Sequence, residues 1–146
     1  MRGEVMDLVV IVGESKAYGL LGEFSVIRAD EFSDINCKDA VVIIGKNGRA
    51  HVSSALGVIV DGDEPASHLP QFVQLIACGV SPKNTVSVTS RTSDKITLSL
   101  NRSVQTADGV CEPLELPIDI GESVSEYDLM AAFAARILLR KCEPAG

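Results

Sequence analysis

The stretch Asp7-Leu8-Val9-Val10-Ile11-Val12-Gly13 decides the fold class that the sequence predicts. It is short, β-branched and apolar without a break, and it stops at a glycine. That is the pattern of a strand buried on both faces. Ala40-Val41-Val42-Ile43-Ile44, Val58-Ile59-Val60 and Gln74-Leu75-Ile76-Ala77-Cys78-Gly79 repeat it, and Phe24 to Ala29 reads as a half-buried strand. The segments between them are short. Glu14 to Gly22 reads as a short helix or turn, Asp30 to Cys37 as a connection with one helical turn, and Arg49 to Leu56 as a polar-to-apolar link. Pro65 opens a predicted helix that continues from His68 to Phe72, because its missing N–H is harmless in a first turn. Apolar strands alternating with short helices predict an α/β fold, a mostly parallel, Rossmann-like sheet with flanking helices.

At about Ser81 the period changes to two. Val86 and Val88 alternate with Thr85, Ser87 and Thr89, while Ile96, Leu98 and Leu100 alternate with Thr97 and Ser99. Leu114, Leu116 and Ile118 continue the alternation after a turn at Asp108-Gly109, which predicts a three-stranded antiparallel meander with one wet face. Pro113 and Pro117 place its third strand at an edge. From about Ser125 to Lys141 a closing helix is expected. Ser125 and Asp128 have capping-box spacing, and Tyr127, Met130, Ala131, Ala134, Ile137 and Leu138 share one face. Residues 1–80 and 81–146 are then two parts of one domain, since neither alone secures a core.

The chain has 146 residues, a formal net charge of -7 and 46% hydrophobic residues. These values fit one globular domain. The acidic balance opposes nucleic acid and anionic membrane as partners, and the apolar run Leu8 to Val12 is far short of the roughly 20 residues of a membrane span. Met1 to Asp7 does not read as a secretory signal. Cys37, Cys78, Cys111 and Cys142 form no CxxC pair, so they read as reduced thiols in a cytoplasmic protein.

Three strand-end loops are the candidate ligand sites, because open sheets bind ligands at the carboxyl ends of their strands. Gly13-Glu14-Ser15-Lys16 could offer backbone N–H groups and the Lys16 charge to a phosphate, although Glu14 opposes one. Gly45-Lys46-Asn47-Gly48 is more basic and has two glycines. Asp61 and Asp63 form an acidic turn. With Glu64 and His68 they could be imagined around a metal, but a turn and a helix start explain them more simply, and no metal is expected. Cys78 would need His51 or His68 as a base, and no spacing brings either near it. It reads as a buried thiol, and no catalytic residue or cofactor is assigned.

The second half resembles the central domain of the Mur ligases, the ATP-dependent amino-acid ligases of peptidoglycan synthesis. Val58-Ile59-Val60-Asp61-Gly62-Asp63-Glu64-Pro65 is similar to the family's strand and acidic turn. Ile76-Ala77-Cys78-Gly79-Val80 fits its next strand and turn, Thr85 to Ile118 its antiparallel excursion, and Tyr127 to Leu139 its Ala-rich helix. The resemblance covers residues 58–140 and implies a nucleotide-binding α/β core. It breaks at the chemistry. The family's phosphate loop has Gly-Lys-Ser or Gly-Lys-Thr, whereas Asn47 follows Gly45-Lys46 here, and Asp61 stands in place of the usual Asn. The family's His-Asn before the helix is replaced around Ser125-Glu126, and its separate C-terminal domain has no counterpart in these residues. The resemblance implies a reduced relative without ligase machinery.

The leading expectation is a non-catalytic domain that binds a small-molecule ligand or a protein partner. The alternatives are a small enzyme acting on a phosphorylated or nucleotide-like substrate at the strand-end loops, and a structural subunit working as an oligomer such as a homodimer.

Overall fold

The computed structural model describes residues 7–63, 73–120 and 124–140. Its fold is mostly β, which overturns the expected α/β class. An eight-stranded sheet is built from β1 (Leu8–Val12), β2 (Ser25–Ala29), β4 (Val41–Ile44), β6 (Gly57–Asp61), β7 (Leu75–Cys78), β8 (Val86–Arg91), β9 (Lys95–Leu100) and β12 (Leu114–Asp119), in the order β12-β9-β8-β7-β6-β4-β1-β2. Neighbours from β8 through to β2 are parallel, and β8, β9 and β12 pair antiparallel. Two small sheets accompany it. β3 (Glu31–Asn36) and β5 (Arg49–Ser54) pair in parallel, and β10 (Val104–Thr106) forms a hairpin with β11 (Gly109–Cys111).

The correction lies in the connections. In place of a connection with one helical turn at 30–37 and a polar-to-apolar link at 49–56, the chain forms β3 and β5, a second parallel layer that makes this half solenoid-like. The physical reason is their period. In Arg49-Ala50-His51-Val52-Ser53-Ser54, Val52 is buried and Ala50 half-buried, while Arg49, His51 and Ser53 point to water. Alternation of this kind suits a strand and not a helix. Glu14 to Gly22 yields only a 3-10 turn, Lys16–Leu20. The helix expected after Pro65 lies outside the described residues. The Rossmann-like α/β description is therefore replaced by a mostly β one. Among the described residues there is one α-helix, α1 (Glu126–Leu139).

The two faces of the sheet explain the two kinds of sequence pattern. Val9, Ile11, Val41, Ile43, Ile59, Ile76 and Cys78 point to the face that α1 covers, and Val86, Ile96, Leu98 and Leu100 continue it. Val10, Val12, Val42, Val58 and Val60 point the other way, onto Ile35 and Val52 of the small parallel layer. Strands covered twice need unbroken apolar runs, whereas the antiparallel strands alternate. Their polar face is not wet throughout as expected: Ser87 and Ser99 are buried, because the Ser99 hydroxyl donates to the Asn101 side chain at 2.8 Å and the Asn101 amide donates to the Ser87 hydroxyl at 2.9 Å.

The helix is buried almost all round, with Arg136 its one exposed residue between Asp128 and Leu139. Ser125 caps it through its side chain, which accepts from the Asp128 N–H at 3.1 Å. Gly57 on β6 lets it come close, since a Cβ there would lie 2.8 Å from Leu138. At its end, the Ala107 N–H donates to the Leu138 carbonyl at 2.8 Å, tying it to the β10–β11 hairpin. Arg136 forms an ion pair with Glu23 at 2.6 Å and also donates to the Leu20 carbonyl. No helix of the described residues is long and apolar enough to cross a membrane.

Ile43 is fully buried between β1 and β6 and under α1. Ile43→Ala should destabilise the fold by about 2–5 kcal/mol, read as a lowered midpoint in urea denaturation. A loss under ~0.5 kcal/mol would show that β4 is not central.

Candidate functional site

The three candidate loops lie side by side at the carboxyl ends of β1, β4 and β6, which are neighbours in the sheet. The structure brings Gly13 and Lys16 together with Gly45, Lys46, Asn47 and Gly48, and sets Asp61 and Asp63 one strand further along. Geometry decides what these loops can do.

The first two loops are bonded to each other. The Glu14 N–H donates to the Lys46 carbonyl at 2.9 Å, and the Lys46 N–H returns a bond of the same length to Glu14. Gly13 donates to the Ala29 carbonyl, Gly45 to that of Val12, and Gly48 to that of Gly45. The glycines permit this contact between backbones. A Cβ on Gly45 would lie 2.3 Å from the Glu14 oxygen, and one on Gly48 would lie 2.2 Å from the Val12 oxygen. Gly13 also has φ +86°. Asn47, at φ 62°, turns the second loop in the left-handed region that Asn tolerates better than most residues.

A phosphate loop works by leaving such N–H groups unpaired for the anion. Here they are spent internally, and the place of the anion is taken by the protein's own carboxylate. Buried Asp128 accepts from the Ser15 hydroxyl at 2.6 Å and from the Lys16 N–H at 3.2 Å. Ser15 in turn accepts from the Ala17 N–H at 3.1 Å and so caps the 3-10 turn.

The acidic turn is closed in the same manner. Asp61 accepts from the Asp63 N–H at 2.9 Å, and Asp63 accepts from the Val80 N–H at 2.9 Å and from the Asn84 amide at 3.4 Å. Gly62 packs against Asn84 so closely that a Cβ would lie 2.0 Å from its oxygen. Asp63 thus ties the β6 loop to the turn before β8. Among the described residues no group of three His, Cys, Asp or Glu side chains is placed to hold a metal. Glu64 and His68 lie outside the described residues.

Beneath these loops Tyr127 donates its hydroxyl to the Ile44 carbonyl at 2.7 Å and lies 3.3 Å from that of Ile59, bridging the ends of β4 and β6. Burial raises its pKa well above the usual phenol value, and the nearby Cys78, Asp61 and Asp128 add to the rise. Cys78 is fully buried; its thiol pKa is driven far up by burial first and by Asp61 second. A thiol held protonated in an apolar site is a poor nucleophile.

One cluster was missed in the sequence. Across β3 and β5, one oxygen of Asp34 meets both the His51 ring nitrogen and the Ser53 hydroxyl, each at 3.0 Å. The His51 contact, then that of Ser53, holds the Asp34 carboxyl below its usual range. The serine donates to the carboxylate and not to the imidazole, so no base is placed to activate it. Its signal was the i, i+2 spacing of His51 and Ser53 on a strand.

Comparison of the chain with protein-family models, curated proteins and solved structures gives no match.

Two outcomes follow from the loop geometry and from the burial of Cys78. Gly45→Ala should lower stability by about 1–3 kcal/mol, because backbone must move. Gly22→Ala, where nothing lies within 4 Å of the added carbon, should stay within about 0.5 kcal/mol; equal effects in urea denaturation would contradict the interlock. With iodoacetamide on the native chain, mass spectrometry should find exposed Cys37 alkylated and Cys78 modified only after denaturation. Native labelling of Cys78 at a rate similar to Cys37 would refute its burial.

Proposed function

We propose that this chain is a non-catalytic binding module that acts through its surface, with a protein partner and not a small anionic ligand at the strand-end loops. The observation that carries the reading is the closure of those loops on Asp128 and on each other. The backbone N–H groups of Gly13, Glu14, Lys16, Gly45, Lys46 and Gly48 already have partners, and freeing that of Lys16 would break a contact that docks α1. Tyr18, Ile27, Val80, Val110, Leu116 and Ile120 are large apolar residues left exposed. Ile27 and Leu116 lie on β2 and β12, the two edge strands of the sheet, where backbone groups can pair with another chain. We place the protein in the cytoplasm, which the free thiols of Cys37, Cys78 and Cys111 support.

The enzyme reading has one observation in its favour: the paired loops set Lys16 and Lys46 at the same end of the sheet. Titration calorimetry with Mg-ATP, and separately with inorganic phosphate, distinguishes the two. No saturable heat is expected from either. A dissociation constant below roughly 10 μM, about 7 kcal/mol of binding, would overturn the proposed function in favour of an enzyme or a nucleotide-binding protein.

A further inference from the structure

The eight-stranded sheet has two edges, and they are built differently. At the β12 edge, the Ile120 N–H donates to the Asp94 carbonyl of the inner side. Alternation then turns the backbone of Glu115, Pro117 and Asp119 outward. Pro117 has no N–H to offer there, and two carboxylates flank it. Proline and charge are the usual means of blocking an edge against further pairing.

The β2 edge carries no such protection. Its Ser25 N–H donates to the Asp7 carbonyl, and its Ala29 carbonyl accepts from Gly13. Ser25, Ile27 and Ala29 therefore face β1, and the N–H and C=O groups of Val26 and Arg28 point away from the sheet. Among the described residues no other strand pairs with this side. The strand holds no proline, no bulge and one ionised residue, and Ile27 is 48% exposed.

We propose that the β2 edge is a dimerisation surface and that its partner is the β2 strand of a second copy, paired antiparallel about a two-fold axis through Ile27. The strand is complementary to itself in that register. Val26 faces Arg28 of the other copy as a hydrogen-bonded pair. Each such pair exchanges two bonds, and the axis makes the second pair equivalent to the first. Ile27 meets its own copy in the non-hydrogen-bonded site, where facing side chains lie closest, and loses its exposure. Ser25 faces Ala29, both small. The one charge, Arg28, faces Val26 and not another charge, and its guanidinium already lies on the Tyr18 ring, 3.8 Å from the centroid. A different protein strand would satisfy the same backbone groups, but only a second copy is guaranteed this match of side chains. The inference goes beyond the proposed function and does not depend on it, since the strand-end loops take no part in the pairing.

Sedimentation velocity on the full chain tests it. A monomer–dimer equilibrium is expected at concentrations up to ~100 μM. It should tighten with added salt, because each copy carries -7 and screening weakens their repulsion. Ile27→Lys should weaken dimerisation at least tenfold, whereas Leu116→Lys at the opposite edge should leave it unchanged. A second measurement covers the case in which Ile27→Lys fails to fold. Ile27→Cys in a Cys37→Ser background should give a disulfide-linked dimer on mild oxidation, since facing residues at this site have Cα atoms about 4.5 Å apart. Leu116→Cys in the same background should not. A chain that stays monomeric at ~100 μM in high salt, a dimer abolished by Leu116→Lys, or no cross-link through Ile27→Cys would each overturn the proposal. None of these outcomes bears on whether the loops bind Mg-ATP.

Discussion

The larger apolar face of the sheet is kept from water by a single helix, and the rest of the structure depends on that docking. Val9, Ile11, Val41, Ile43, Ile59 and Ile76 come from four strands separated in sequence and share one cover. Burying each such side chain contributes about 1.5–3 kcal/mol, comparable for the group with the whole net stability of a domain. Hydrophobic contact alone would not fix where the helix sits, because it has no direction. Polar groups at its start supply the address. Tyr127 reaches the Ile44 and Ile59 carbonyls, and Asp128 reaches Ser15 and Lys16. The carboxylate that positions the helix also fills the loop that would otherwise suit an anion. Docking and loop closure are thus one event.

Much of the strand pattern was legible. Unbroken runs such as Ala40 to Ile44 became strands buried on both faces, and the change of period near Ser81 became the antiparallel part. Ser125 stands as the cap of the helix. The fold class was not legible, for a specific reason. Parallel strands are usually joined by helices, so a helical cover is the natural expectation for the second face. Glu31 to Asn36 and Arg49 to Ser54 are strands instead, and the alternation of Arg49 to Ser54 was visible in the sequence. Six residues are too few for a stable helix, yet enough for a strand.

The candidate site was legible in place but not in state. Loops at Gly13, Gly45 and Asp61 do gather at one end of the sheet. Their glycines suit a ligand in the sequence, yet each makes room for another piece of backbone or a side chain. Sequence spacing cannot separate these cases, since close approach demands glycine in both. Asp128 could not have been assigned to Ser15 either, because the two lie 113 positions apart.

That separation has a consequence for synthesis. Ser15 and Glu23 leave the ribosome before their partners Asp128 and Arg136, which come 113 positions later. At ~5–20 residues per second the early strands wait for several seconds with their apolar face bare. A parallel sheet in that condition is slow to form and prone to stick to its neighbours. Until the helix arrives, the nascent chain carries that apolar face uncovered.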